Sequence, residues 1–240
     1  MKIAPIMFCA SLAIFFATIA TSQRNPELEK PVQVPLDFSG IDTLEVLAGQ
    51  GVNISLRNDV KPTMSYGNKY YNNRDEDNAE LKAVRLGNKL VISMEDVHGY
   101  GNLEIVMPSS VRRLIVDQVN IEANVNDVSL DMQVSGSLNW NGAAHSLRIR
   151  DSRIYKSGCK DECVSYFTIR KGQIDELSLE TLKGVVTLEA SEQLKSTHLL
   201  LGPDAALSVN HVESLKSIQI SDFPAQQMTP YTGGKQAPTR

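Results

Sequence analysis

Asp117, Asp131 and Asp151 are the residues of this 240-residue chain best placed by type to do chemistry. Each lies in or beside an apolar-x-apolar triplet, so neighbouring strands would bring all three onto one outer face. Two carboxylates flanking a glycosidic bond, one protonated and one ionised, are the working parts of sugar hydrolysis. Arg148 and Arg150 intervene, however, and charge pairing between adjacent strands accounts for such acids without catalysis. The histidines, His98, His145, His198 and His211, stand far apart and form no HxH, HExxH or CxxH pattern, so they read as surface or turn residues. The acidic run Arg74-Asp75-Glu76-Asp77-Asn78 has oxygen ligands for a hard cation but not the glycine-bearing spacing of a calcium loop. No G-x-S-x-G turn occurs. Gly49-Gln50-Gly51 and Gly99-Tyr100-Gly101 are turns with no helix behind them to hold a phosphate. Catalytic machinery, cofactor and metal are therefore not expected.

Two further sets of residues suit other work. In the stretch Ser65 to Asn78, Tyr66, Tyr70 and Tyr71 interleave with Asn68, Asn72 and Asn73, and Tyr and Asn make adaptable contacts. Tyr66, Tyr70, Tyr71 and Asn72 are thus a candidate interaction loop. The three cysteines divide unevenly. Cys9 falls within a leader, which leaves Cys159 and Cys163 as an even pair in an oxidising compartment. Cys-Lys-Asp-Glu-Cys closes a small loop within reach of disulfide geometry if the backbone turns; free thiols, or redox or metal chemistry, are the alternatives. Trp140 shares a face with Leu138 by parity, which places it in the core or on its rim.

Met1 to Ser22 reads as a secretory signal: Lys2 opens it, an apolar run follows from Ile3 through Ala20, and Ala20-Thr21-Ser22 supplies small residues for cleavage. An uncleaved anchor is the alternative, and membrane contact is expected only in that case. Residues 23–35 form a Pro-rich lead-in, and 224–240 combine Pro, Gly, Gln and Thr in a composition unable to order itself. A chain with 24 basic and 28 acidic residues carries no basic stripe, so nucleic acid is excluded as a partner.

What must position these residues is a set of short strands. Ile54 and Leu56, Leu90 and Ile92, and Leu103 and Ile105 alternate with polar neighbours at period two. Residues 36–112 read as an N-terminal β region. From Arg113 the triplets Leu114-Ile115-Val116, Leu130-Asp131-Met132 and Leu147-Arg148-Ile149 recur at 16 and 17 residues. Phe167-Thr168-Ile169, Leu177-Ser178-Leu179, Leu199-Leu200-Leu201 and Ile218-Gln219-Ile220 continue the series. Ile121, Leu138, Ile154, Val186 and Leu207 supply a second strand in each unit. Repeats near 20 residues that cannot bury their own apolar faces predict a β-solenoid over 113–223. Asp131 and Arg148 would then lie side by side on a parallel ladder. An antiparallel β-sandwich is the alternative.

Several short motifs point the same way. They are Leu36-Asp37-Phe38-Ser39-Gly40-Ile41, Leu44-Glu45-Val46 with Gly51-Val52-Asn53-Ile54-Ser55-Leu56, and Gly87-Asn88-Lys89-Leu90-Val91-Ile92. Leu103-Glu104-Ile105-Val106-Met107-Pro108 and the rung-like Leu130 to Leu138 complete the set. In order, they resemble the auto-transporter adhesin, head GIN domain family of the bacterial envelope, across about Val34 to Phe223. Only Ser135-Gly136-Ser137 keeps the family's Ser-Gly repeat, and the Cys159–Cys163 loop reads as an insertion. The resemblance implies an exported, non-enzymatic, all-β interaction protein located in the periplasm, on the cell surface or outside the cell, with no binding residues to carry over. Its expected partner is an envelope component or another copy of itself. A carbohydrate-active β-helix enzyme and a small-ligand-binding β-barrel are the rival functions.

Overall fold

The computed structural model describes residues 33–48, 52–59, 61–68, 80–95, 101–152, 164–189, 193–210 and 218–222. In chain order the strands are β1 (Gln33–Pro35), β2 (Thr43–Leu47), β3 (Val52–Asn58), β4 (Thr63–Asn68), β5 (Glu80–Leu86), β6 (Lys89–Glu95), β7 (Gly101–Met107) and β8 (Arg113–Asn124). They continue with β9 (Val128–Trp140), β10 (Ala144–Asp151), β11 (Ser165–Ile169), β12 (Ile174–Thr181), β13 (Gly184–Leu188), β14 (Leu194–Leu201), β15 (Ala206–Val209) and β16 (Ile218–Asp222). No helix occurs among the described residues, and the sheet does not close into a barrel. That removes the enclosed-ligand rival.

The strands form two parallel arms that share β8 and β9. In the first arm β6, β2, β8, β9, β10, β12, β14 and β16 lie side by side. In the second, β7, β3, β8, β9, β11, β13 and β15 do so. The chain thus runs along one arm, turns, returns along the other and steps up to the next rung, as a solenoid does. These parallel ladders also dispose of the antiparallel sandwich.

Parity explains the core. Leu44, Leu114, Met132, Ile149, Leu179 and Leu199 occupy one inward column of the first arm and are all 0% exposed. Ile121, Leu138, Phe167 and Val186 make the matching column of the second arm. Each such Leu, Ile or Phe removed from water stabilises the fold by about 1.5–3 kcal/mol. Trp140 is fully buried, as its parity with Leu138 requires, and its indole Nε1 donates to the Gly142 carbonyl at 2.7 Å.

The turn between arms is built into β8 and β9. Val116 lies beside Val134 but Val119 lies beside Gly136, so β8 carries one extra residue there. Gly136 has φ 116°, where a side chain would be strained. Such a bulge bends the strand. The return links are short. Asn126 and Asn58 hold one of them: Asn58 Nδ2 donates to the Asn126 carbonyl at 2.6 Å, and the Asn126 amide donates to Asn58 Oδ1 at 2.9 Å. Gly142 lies so close over the Val125 carbonyl that a Cβ would overlap it.

Three features depart from the sequence expectation. The ladder is displaced by two residues at three joints: Leu114 lies beside Met132 rather than Leu130, Leu199 beside Leu179 rather than Leu177, and Ile220 rather than Ile218 beside Leu199. Apolar-x-apolar triplets look alike when shifted by two, so the repeat alone does not set register. Phe167-Thr168-Ile169 belongs to the second arm, beside Leu138-Asn139-Trp140. The rungs are also stacked out of chain order. β6–β7 pack on the outside of β2–β3, and β8 returns to the inner side of β2–β3.

The end beyond β6–β7 is closed by antiparallel strands, β5 on β6 and β4 then β1 on β7. Leu36 and Phe38, between β1 and β2, are buried in the core. Among the described residues, β15 and β16 are the outermost strands at the other end. Residues 1–32 and 223–240 lie outside the described residues.

Candidate interaction face

The carboxylates that suggested hydrolysis are separated by the fold. Asp131 faces outward on β9 and is held by Arg150, with Nη2 2.6 Å from Oδ2 and Nε 3.2 Å from Oδ1. Asp151 is not on the outer face. It points inward, is 1% exposed, and accepts a hydrogen bond from Thr181 Oγ1 at 2.9 Å. Its parity with Leu147 and Ile149 puts it in the inward column. The side chain of Asp117 lies outside the described residues. The adjacency expected of Asp131 and Arg148 is present in the ladder, yet the Arg148 guanidinium turns to Glu180 at 2.7 Å.

Several charges on the first arm's outer face pair with neighbouring rungs. Lys89 ties β6 to Glu45 on β2 at 2.8 Å, and Lys195 ties β14 to Asp175 on β12 at 2.7 Å. Hydrogen bonds from Lys195 and then His145 hold the Asp175 carboxyl below the usual aspartate range. Asp42 is likewise lowered, by Thr43 and then by Asn88, whose amide bridges it at 2.9 Å. His145 and His198 are exposed, near Asp175 at 3.4 Å and Ser221 at 3.3 Å, as surface histidines are. His98 and His211 lie outside the described residues. Among the described residues no three His, Cys, Asp or Glu side chains come together to hold a metal, and no helix is long and apolar enough to cross a membrane.

The expected interaction loop is described only at its start. Ser65 to Asn68 belong to strand β4, and Tyr66 is half-buried against the core with its ring over Gly101. Tyr70, Tyr71 and Asn72 lie outside the described residues, as do Cys159 and Cys163.

The second arm's outer face has a different chemistry, and sequence reasoning passed over its principal residue. β9, β11 and β13 present Ser137 with Asn139, Tyr166 with Thr168, and Val185 with Thr187 in consecutive rungs, about 4.8 Å apart. All six are uncharged, and Tyr166 is 52% exposed. Beside Ser137 the row continues through Asn120 and Asn53 to Asn102, with Asn120 Nδ2 donating to Asn53 Oδ1 at 3.2 Å. Paired charges sit toward the margin, Arg57 with Glu104 at 3.3 Å and Arg170 with Glu189 at 4.0 Å, while exposed Glu122 lies within the face beside Asn139 and accepts from the Asn124 amide at 3.5 Å. The alternation of Phe167 and Ile169 inward was signal enough to place Tyr166 and Thr168 outward. A flat field of hydroxyls and amides around one exposed phenol offers hydrogen bonds and a stacking surface with little side-chain entropy to lose.

No family model matches the chain, and no curated protein matches it. Among solved structures it is similar to a provisionally named adhesin from Bacteroides fragilis NCTC 9343, at 11% identity and a TM-score of 0.33, covering 81% of this chain and 98% of that one. It is also similar to a provisionally named cell adhesion protein from Clostridium sporogenes ATCC 15579, at 10% identity and a TM-score of 0.31, covering 81% of this chain and 100% of that one. Likeness this distant assigns no partner to the present chain.

Proposed function

We propose that the chain is an exported, non-catalytic interaction protein of the bacterial cell envelope, adhesin-like in the manner of the head GIN domain proteins. In this reading the second arm's outer face makes the contact. One observation carries it: Tyr166 stands half-exposed on a ladder whose neighbouring outward residues are Ser137, Asn139, Thr168, Val185 and Thr187, with Glu122 as the nearest acid, beside Asn139. The first arm supports the contrast, because it is richer in charge and four of its ion pairs join neighbouring rungs. The leader-like residues 1–22 support export, and the paired Asp131 and buried Asp151 count against a carboxylate mechanism.

The test is saturable binding of the purified protein to washed envelope fragments, compared with Tyr166→Ala and Asn139→Ala. The reading expects both variants to bind at least tenfold more weakly while melting as the parent does, a change of about 1.4 kcal/mol. Equal binding by both would sink the assignment of this face. A variant lacking residues 69–78 separates this face from Tyr70, Tyr71 and Asn72, the second candidate contact surface.

A further inference from the structure

The open end of the solenoid is stepped. In the first arm β16 stacks beyond β14, whereas in the second arm β15, the counterpart of β14, is the last strand described. The first arm is therefore one strand longer. Ile220 shows the consequence. It continues the inward column of Leu179 and Leu199, yet it is 52% exposed, because no described strand of the second arm stands opposite it. Leu207 and Val209 on β15 are likewise only half-buried.

We propose that this end joins the same end of a second copy of the chain, each β16 pairing with the other copy's β15, beside which no further described strand lies. Shape selects this occupant. A three-residue link such as Asn141–Ala143 spans at most about 14 Å, against about 40 Å for the 13-residue β9 it follows. The arms therefore fold back on one another and run in nearly opposite directions. Butting first arm against first arm would leave a gap two strands wide in the second. A dyad along the strands instead brings first arm against second, fills both, and makes each new pair antiparallel. Ile220 then faces the partner's Ile220 across a continuous core.

Composition agrees. Exposed edges are commonly protected by Lys or by proline. The closing strand β5 at the other end carries Lys82 and Arg85, whereas β15 and β16 carry only Asp222, at the tip. The chain's own C-terminal residues are a poor occupant. Pro224 and Pro230 leave only Ala225-Gln226-Gln227-Met228-Thr229 between them, a mostly polar run without the alternating apolar side chains needed to cover Ile220.

Sedimentation equilibrium on the full chain tests this. The expected result is a reversible dimer, weakened ~100-fold or more by Ile220→Arg, since the interface would bury an unpaired charge. Because Ile220 is half-exposed, that variant should keep the parent's melting profile at monomer concentrations. Ile220→Cys should in addition give an oxidised dimer that the parent does not form. A chain ending at Pro224 should dimerise as the parent does. A monomeric parent, a dimer indifferent to Ile220→Arg, or a dimer seen only after removal of 225–240 would each overturn the proposal, the last by making the tail the occupant.

Discussion

Asp131 takes its salt bridge diagonally, from Arg150, and not from Arg148, which lies directly beside it in the ladder. Arg148 reaches the opposite way, to Glu180, so β10 is tied to β9 by one arginine and to β12 by the other. Both partners of the Asp131 pair are a quarter to a third exposed, where such pairs are screened. A double-mutant cycle on Asp131→Asn and Arg150→Met should give a coupling of about 0.5–1 kcal/mol in chemical denaturation. Coupling above that range would mean the pair holds more than one rung joint.

Asp151 is a buried carboxylate on an inward column, with Thr181 as one donor. Thr181→Val keeps the shape and removes that hydrogen bond. A loss of about 1–3 kcal/mol is expected, the cost of leaving a buried polar group without its hydrogen-bond partner. A chain of unchanged stability would show that Thr181 is dispensable to the acid.

The only tryptophan reports on the core directly. Trp140 emission should be blue-shifted in the native protein and move to the red through a single unfolding transition. Trp140→Phe loses both packing volume and the bond to the Gly142 carbonyl, and should cost about 2–4 kcal/mol. Emission already red-shifted in buffer would contradict the buried indole.

Close backbone packing governs the links. An added methyl at Gly142 overlaps the Val125 carbonyl, and at Gly172, with φ 101°, it overlaps the Gly142 carbonyl. Gly142→Ala and Gly172→Ala should each destabilise the fold by about 2 kcal/mol or more, and so melt below the chain with alanine at the open position Gly67. Gly67→Ala meets nothing within 4 Å. Similar melting of all three variants would refute the stacked-link geometry.

Acid should destabilise the fold through its exposed aspartates. Asp37, Asp42 and Asp175 are all held below the usual 3.8 by their hydrogen bonds. Folded values below the unfolded one mean stability that is full above pH 3.8 and lost as pH falls through the folded values. Asp175→Asn should therefore melt lower than the parent at neutral pH and show a shallower acid limb, the two profiles converging as pH falls through the folded value. An acid limb of identical slope in the variant would remove Asp175 from the account.

Much of the architecture was legible because a strand buried on one side writes its parity into the sequence. Leu147, Ile149 and Leu179 announce an inward column, and the same rule, applied to Asp151 and Tyr166, places one in the core and the other on the surface. Register was less legible, since Thr197 stands in the inward column between Leu177 and Ile218 and breaks the apolar repeat there. The second arm was obscured by the residues between Ser152 and Val164, which detach Phe167 from the rung that precedes it. Nothing local encodes the placement of β6–β7 outside β2–β3, which is settled by long-range pairing alone.

That placement sets the order in which the molecule can be assembled. The rung nearest the amino terminus, β2–β3, lies inside the stack, and both of its neighbours are made after it. A chain emerging amino end first has to lay down its second rung on one side of the first and its third on the other. Growth after β8 runs in one direction only, toward β16. In evolution, too, a duplicated rung can be accommodated between β9 and β16, whereas one inserted before β8 would displace the closing strands. Repeat number in proteins of this design should vary at the carboxyl-terminal side.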